Sequence, residues 1–169
     1  MKASVHSWHA KYYLALARQT GLDWHIIERE WPQIRRAWAW VDVEWPQIQR
    51  AWKWLVNSEE SSARVVAYAL AFYDFQDQRG LWREATVWSQ QGLEVARMSE
   101  AENVEGILLN NLGTALANLG EVQRAINLHE RKLILARDTQ ARDSEKNALL
   151  NLGVAYHRLG QITRAIEYY

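Results

Sequence analysis

The chain copies itself along its second half. Sliding the 169-residue sequence against itself brings Arg79-Gly80, Leu119-Gly120 and Leu159-Gly160 into line at a period of 40 residues. Ala85, Ala125 and Ala165 share that register, as do LEVAR at 93–97 and LILAR at 133–137, and Asn111-Leu112-Gly113 and Asn151-Leu152-Gly153. A fixed period of this length marks an array of supersecondary units, each burying its apolar face only against its neighbours. Within a copy the apolar spacing is helical: Leu108, Leu112, Ala115, Leu116 and Leu119 share one face, and Val122, Ala125, Ile126 and Leu133 share another. Each copy therefore predicts a helical hairpin. Gly120 and Gly160 stand where the first helix stops, a place that favours a left-handed backbone. Gly113, Gly153, Ala125 and Ala165 are small enough to let paired helices approach closely.

Composition narrows the function classes. Twenty Lys and Arg balance twenty Asp and Glu, which argues against an electrostatic nucleic-acid or polybasic membrane binder. Zero cysteines exclude a disulfide framework, a thiolate metal site and a cysteine nucleophile. Two prolines and eight glycines are too few for a turn-rich β domain. The N-terminus MKASVHSWHAKYY lacks a signal-peptide core, and no long uninterrupted apolar run occurs, so a cytoplasmic helical protein without membrane contact is expected. No GxxxxGK loop is present to cradle phosphates. His6 and His9 share a helical face but lack a third ligand, so no metal site is expected. Glu28 and Glu30 are two residues apart and do not face each other on a helix, so they form no acid/base pair. Neither a catalytic residue nor a cofactor is expected.

Residues 1–60 differ in composition. Seven of the ten tryptophans lie between Trp24 and Trp54. Residues 4–19 read as a helix closed by Gly21. After it Trp24, Trp31, Trp38, Trp45 and Trp52 recur every seven residues, interleaved with Ile27, Ile34, Val41, Ile48 and Leu55. That is a heptad seam. WPQIRRAWAWV at 31–41 matches WPQIQRAWKWL at 45–55 at eight of eleven places, so the seam is partly a 14-residue duplication. Pro32 and Pro46 fall inside it, and an interior helical proline costs ~3 kcal/mol, which predicts a kink or break near both.

Residues 61–169 resemble the tetratricopeptide repeat family in a 40-residue variety like that of bacterial signalling proteins. Leu112, Gly113, Ala125 and the Leu-Gly turn carry the likeness in the second copy, and Leu152, Gly153, Tyr156, Ala165 and the turn carry it in the third. The first copy departs from the pattern: Tyr73 replaces the small glycine, Gln76 replaces a large apolar residue, and Trp82 and Trp88 add bulk. Residues 1–97 look similar to the segment that follows the nucleotide switch in bacterial STAND ATPases of the NB-ARC kind. HAKYYLALA at 9–17, the run from Trp24 to Trp40, and RGLWREATVWSQQGLEVAR at 79–97 carry that likeness.

Together these readings predict an all-α right-handed solenoid. A Trp-rich helical submodule spans 1–60, and three repeats span 61–100 (divergent), 101–140 and 141–169 (truncated). The resemblance implies a non-catalytic interaction and sensing arm of a larger signalling ATPase, binding a protein or peptide in the concave groove. It places groove residues at Asn110, Asn111, Thr114, Ala117 and Asn118 in the second repeat, and at Asn147, Asn151, Val154, His157 and Arg158 in the third. Asparagine both donates and accepts, so a ladder of amides suits an extended peptide backbone. Arg158 is the only cation among these positions. Two alternatives stand beside this reading: a small-molecule sensor built on the tryptophans, and a structural oligomerisation element. A homo-oligomer is expected, with Trp31, Trp38, Trp45, Trp52, Ile166 and Tyr169 at its contacts, because large exposed aromatic surface and an uncapped repeat invite association.

Overall fold

The computed structural model describes residues 24–58 and 62–169, and all regular structure among them is helical. Its contacts divide the chain into two units, residues 1–58 and 59–169. The helix expected over residues 4–19 lies outside the described residues.

In the first unit, α1 (Trp24–Val56) runs through Pro32 and Pro46 without a break. The expected break does not occur because each proline cancels only one amide donor. The helix also buries Val41, Ile48, Trp52 and Leu55 along the heptad stripe, and that burial offsets the prolines' cost. Trp54 sits off the stripe and is exposed.

The second unit is a series of helical hairpins, as its periodicity predicts. Helices α2 (Ser62–Gln78) and α3 (Trp82–Met98) form the first, α4 (Glu102–Asn118) and α5 (Val122–Asp138) the second, and α6 (Arg142–Arg158) and α7 (Ile162–Tyr168) the third. Each first helix ends on a left-handed glycine; at Gly120, φ is 85°. There the Gly120 amide donates to Ala117 O and the Glu121 amide to Leu116 O, which satisfies two of the carbonyls a helix end leaves open. The second helices end differently, on Glu100 and Gln140 at φ of 53° and 55°. One ion pair recurs in register between hairpins: Arg97 to Glu105 at 2.9 Å and Arg137 to Glu145 at 2.8 Å.

Ala85, Ala125 and Ala165 are all buried where paired helices touch. Ile126, Leu133, Ala148, Leu152, Ala155 and Tyr156 form a continuous core from the second hairpin into the third. Beside these alanines runs an exchange of size that keeps every hairpin filled. A Cβ added at Gly113 would sit 2.7 Å from the His129 ring, and one at Gly153 would sit 2.7 Å from the Tyr169 ring. His129 and Tyr169 occupy the same register position. In the first hairpin the register puts Tyr73 at the glycine position and Ser89 at the ring position, and both are buried. In register, large and small have changed helices, and Tyr73 packs with Ala85 and Ala115.

Gly113→Ala is expected to destabilise the fold by about 1–3 kcal/mol through overpacking, despite alanine's better helix propensity. Adding His129→Ser, which restores the large/small balance used at Tyr73 and Ser89, should relieve the clash. Chemical denaturation of the single and double variants checks this; simple additivity of the two costs would refute the exchange.

Candidate functional site

The polar residues that the sequence assigns to the groove fall on successive first helices, where α4 lies beside α6. On α4 the stripe runs Gly106, Asn110, Thr114, Asn118; on α6 it runs Ser144, Asn147, Asn151, Arg158. Spacings of three, four and seven residues keep each set on one helical face.

Three of the predicted asparagines converge, and a lysine holds them. Lys132 Nζ, from the second helix α5, donates to Asn110 Oδ1 at 2.9 Å and to Asn147 Oδ1. Asn151 Nδ2 donates to the same two oxygens, at 2.7 Å and 3.3 Å. An ammonium only donates, so amides that face it must turn their oxygens inward. The Nδ2 groups of Asn110 and Asn147 are left without partners among the described residues. The ring thus gathers three amides around one buried positive charge, and the Asn110 and Asn147 oxygens are already taken.

A second polar row crosses all three hairpins near the C-terminal ends of the first helices. Trp82 Nε1 and Asn118 Nδ2 each donate to Asp77 Oδ1 at 3.2 Å, and Arg158 donates to Asn118 Oδ1 at 3.2 Å. Asn118 and Arg158 therefore act as rungs between repeats. Thr114 lies partly buried between the two rows and His157 is exposed. Asn111, the register partner of Asn151, stands apart from the ring at 6% exposure, because α4 is flanked by α2 as well as α6.

Burial governs the charges here. Lys132 is only 4% exposed, and desolvation pulls its pKa from the usual lysine value down to about 8, leaving it mainly protonated at neutral pH. His129, at 2% exposure, is pushed down to about 4, first by burial and then by the positive charge of Lys132. Its Nδ1 has no hydrogen-bond partner. In the first hairpin, burial and then Asp77 hold the Tyr73 phenol above its ordinary value. The amide of Gln76, where the register otherwise has Leu116 and Tyr156, is fully buried without a partner.

Lys132 was out of view of a reading confined to first-helix positions. Its signal lies in the register. Lys132 stands where Gly92 stands one repeat earlier, and Ala148 stands where Leu108 does. A Cβ at Gly92 would lie 3.2 Å from Leu108, so the space that Leu108 fills there passes to the lysine stem in the next repeat.

Among the residues expected at self-association contacts, Trp52 is buried at 4%, while Ile166 and Tyr169 are 68% and 67% exposed. The Tyr169 ring nonetheless lies over Gly153, and Tyr168 stacks on Tyr156 with centroids 5.3 Å apart. Trp45 is partly buried, and the side chains of Trp31 and Trp38 lie outside the described residues. Among the described residues no three His, Asp or Glu side chains are grouped to hold a metal ion, and no helix is long and apolar enough to cross a membrane.

Residues 104–169 match the sequence profile of the tetratricopeptide repeat family. Among solved structures the chain is similar to the TPR domain of Arabidopsis FLU, with 20% identity and a TM-score of 0.57 over 64% of this chain and 91% of that one. The likeness is one of fold, an all-helical array of hairpins. No curated protein matches the chain.

Because the folded state keeps His129 neutral while the unfolded chain takes up a proton near pH 6.5, the unfolded state binds more protons between pH 6.5 and about 4. Stability should therefore fall as pH drops through that window, by up to about 3 kcal/mol. Urea midpoints measured at pH 7 and pH 4.5 check it, and His129→Gln should flatten that part of the profile.

Proposed function

We propose that this chain is a non-catalytic interaction module whose α4–α6 face binds an extended protein segment. The observation that carries the reading is the amide ring: three asparagines and a lysine from different helices converge, and the Nδ2 groups of Asn110 and Asn147 have no partner among the described residues. Such a surface recognises acceptors, that is, backbone carbonyls and carboxylates. The fold likeness supports the reading, since tetratricopeptide repeats are built as protein-binding surfaces, and the ring lies where successive first helices touch. The chain acts in the cytoplasm as the regulatory arm of a larger signalling ATPase of the STAND type, a role supported by the runs at 9–17 and 79–97.

The test is selection of dodecapeptides from a random display library on the full chain, followed by titration of the enriched peptides. Asn147→Ala and Lys132→Met should each weaken binding about tenfold, as expected for one or two lost hydrogen bonds. Far-ultraviolet circular dichroism should show both variants folded. Enrichment no better than on bare support would refute the reading.

A further inference from the structure

We infer that the first hairpin, α2 and α3, is a cover that opens as a unit while α4 to α6 stay folded behind it. Polar side chains buried in the hairpin set how often it opens. Two kinds of observation carry this: where the unpaired buried polar atoms fall, and what the hairpin touches on α4.

Buried polar atoms without hydrogen-bond partners are concentrated in this hairpin. The Gln76 amide is fully buried with neither its nitrogen nor its oxygen paired, and the Ser89 hydroxyl, at 1% exposure, is unpaired as well. Further along α3, Gln91 Oε1 and Arg97 Nη2 are buried without partners. From α4 to α7 the described residues have one such atom, His129 Nδ1. The register shows how local the contrast is: Leu116 stands where Gln76 does, and is buried as a side chain that needs no partner. A polar group buried without a hydrogen bond has lost its water and gained nothing in return, which destabilises the closed hairpin. In an open hairpin water reaches these groups. Gln76 and Ser89 therefore weaken the closed state and leave the open one unharmed, so the balance between the two moves toward opening.

The contacts with α4 define what the hairpin covers and what holds it shut. Gly92 lies against Leu108, since an added Cβ would sit 3.2 Å from Leu108 Cδ2, and Tyr73 packs on Ala115. Leu108 and Ala115 are both at 0% exposure, so the hairpin seals part of the apolar face of α4. Two polar clamps tie it to opposite ends of that helix. Asn118 Nδ2 donates to Asp77 Oδ1 at 3.2 Å, and Arg97 Nε donates to Glu105 Oε1 at 2.9 Å. The second clamp is partly exposed, with side chains at 33% and 20%, and such pairs hold weakly. Opening undoes both clamps. It bares Leu108 and Ala115, and it frees the Asn118 amide that otherwise stands between Asp77 and Arg158. A change in the first hairpin thus reaches the polar row that crosses the repeats, and a partner that prefers the open form shifts the balance toward it.

Hydrogen exchange of the full chain, read by mass spectrometry of its peptic fragments, tests the inference. The central amides of α2 and α3 should exchange at one common rate, about tenfold or more faster than those of α4 to α6. Gln76→Leu, which installs the residue found at position 116, should slow exchange in both helices about tenfold or more and leave α4 to α6 as they are. Ser89→Ala should act in the same direction by a smaller factor. Both variants remove an unpaired group and keep the fold, so the comparison does not depend on a damaged protein. Exchange in α2 and α3 no faster than in α4 to α6 would overturn the inference. So would a Gln76→Leu variant that exchanges like the wild type, the outcome expected if internal water already satisfies the amide in the closed hairpin. Unrelated rates in α2 and α3 would refute opening as a unit.

Discussion

The contact on which the array depends is the one between a small residue on one helix and a ring on its hairpin partner. A hairpin of this size cannot fold alone, because most of its apolar face is buried only by the next hairpin. The stacking requires each hairpin to have the same thickness, since a wide one would pry its neighbours apart. Gly113 beneath His129, and Gly153 beneath Tyr169, set that thickness in the second and third copies. The first copy reverses the arrangement in register, with Tyr73 on the first helix and Ser89 on the second, both buried. The cost of the swap is visible in the buried hydroxyl of Ser89, which lacks a hydrogen-bond partner.

The same constraint explains why His129 is neutral. A ring that must lie flat on a glycine backbone in the middle of the stack has no access to water, and the nearest charge, Lys132, has the wrong sign to help it protonate. Lys132 is itself held away from solvent but retains its proton through amide oxygens that accept from it. Two like-charged states cannot both be accommodated in so small a volume. The lysine, with the higher intrinsic proton affinity and the better acceptors, keeps the charge.

Much of the fold was legible in the sequence because repeats test themselves. The Leu-Gly turns, the alanines at the helix contacts and the helical spacing from Leu108 to Leu133 all recur at one offset, and each falls where that offset puts it. The prolines of α1 do not break it, because propensity is local, whereas burial of Val41, Ile48, Trp52 and Leu55 acts over the whole helix. The candidate site was half legible. Asn110, Asn147 and Asn151 converge, and Asn118 and Arg158 meet across the repeat boundary. Asn111 stands apart, because α4 is packed between α2 and α6. Lys132 was missed because a lysine on a second helix reads as solvated unless its stem is traced between the first helices.

That stem shows how a functional group can arise inside a repetitive fold without disturbing it. Between the first and second repeats, the pair Gly92 and Leu108 becomes Lys132 and Ala148: one position gains a long side chain and the facing one loses a branched one. The total volume changes little, so the stack retains its spacing. What changes is direction. Leu108 fills its space from the first helix outward and ends in apolar contact, at 0% exposure. The lysine fills the equivalent space from the second helix inward and places its ammonium, still buried, where Asn110 and Asn147 accept from it. An exchange that leaves the core's volume nearly constant thereby brings a positive charge from the second helix to the side chains of the first helices.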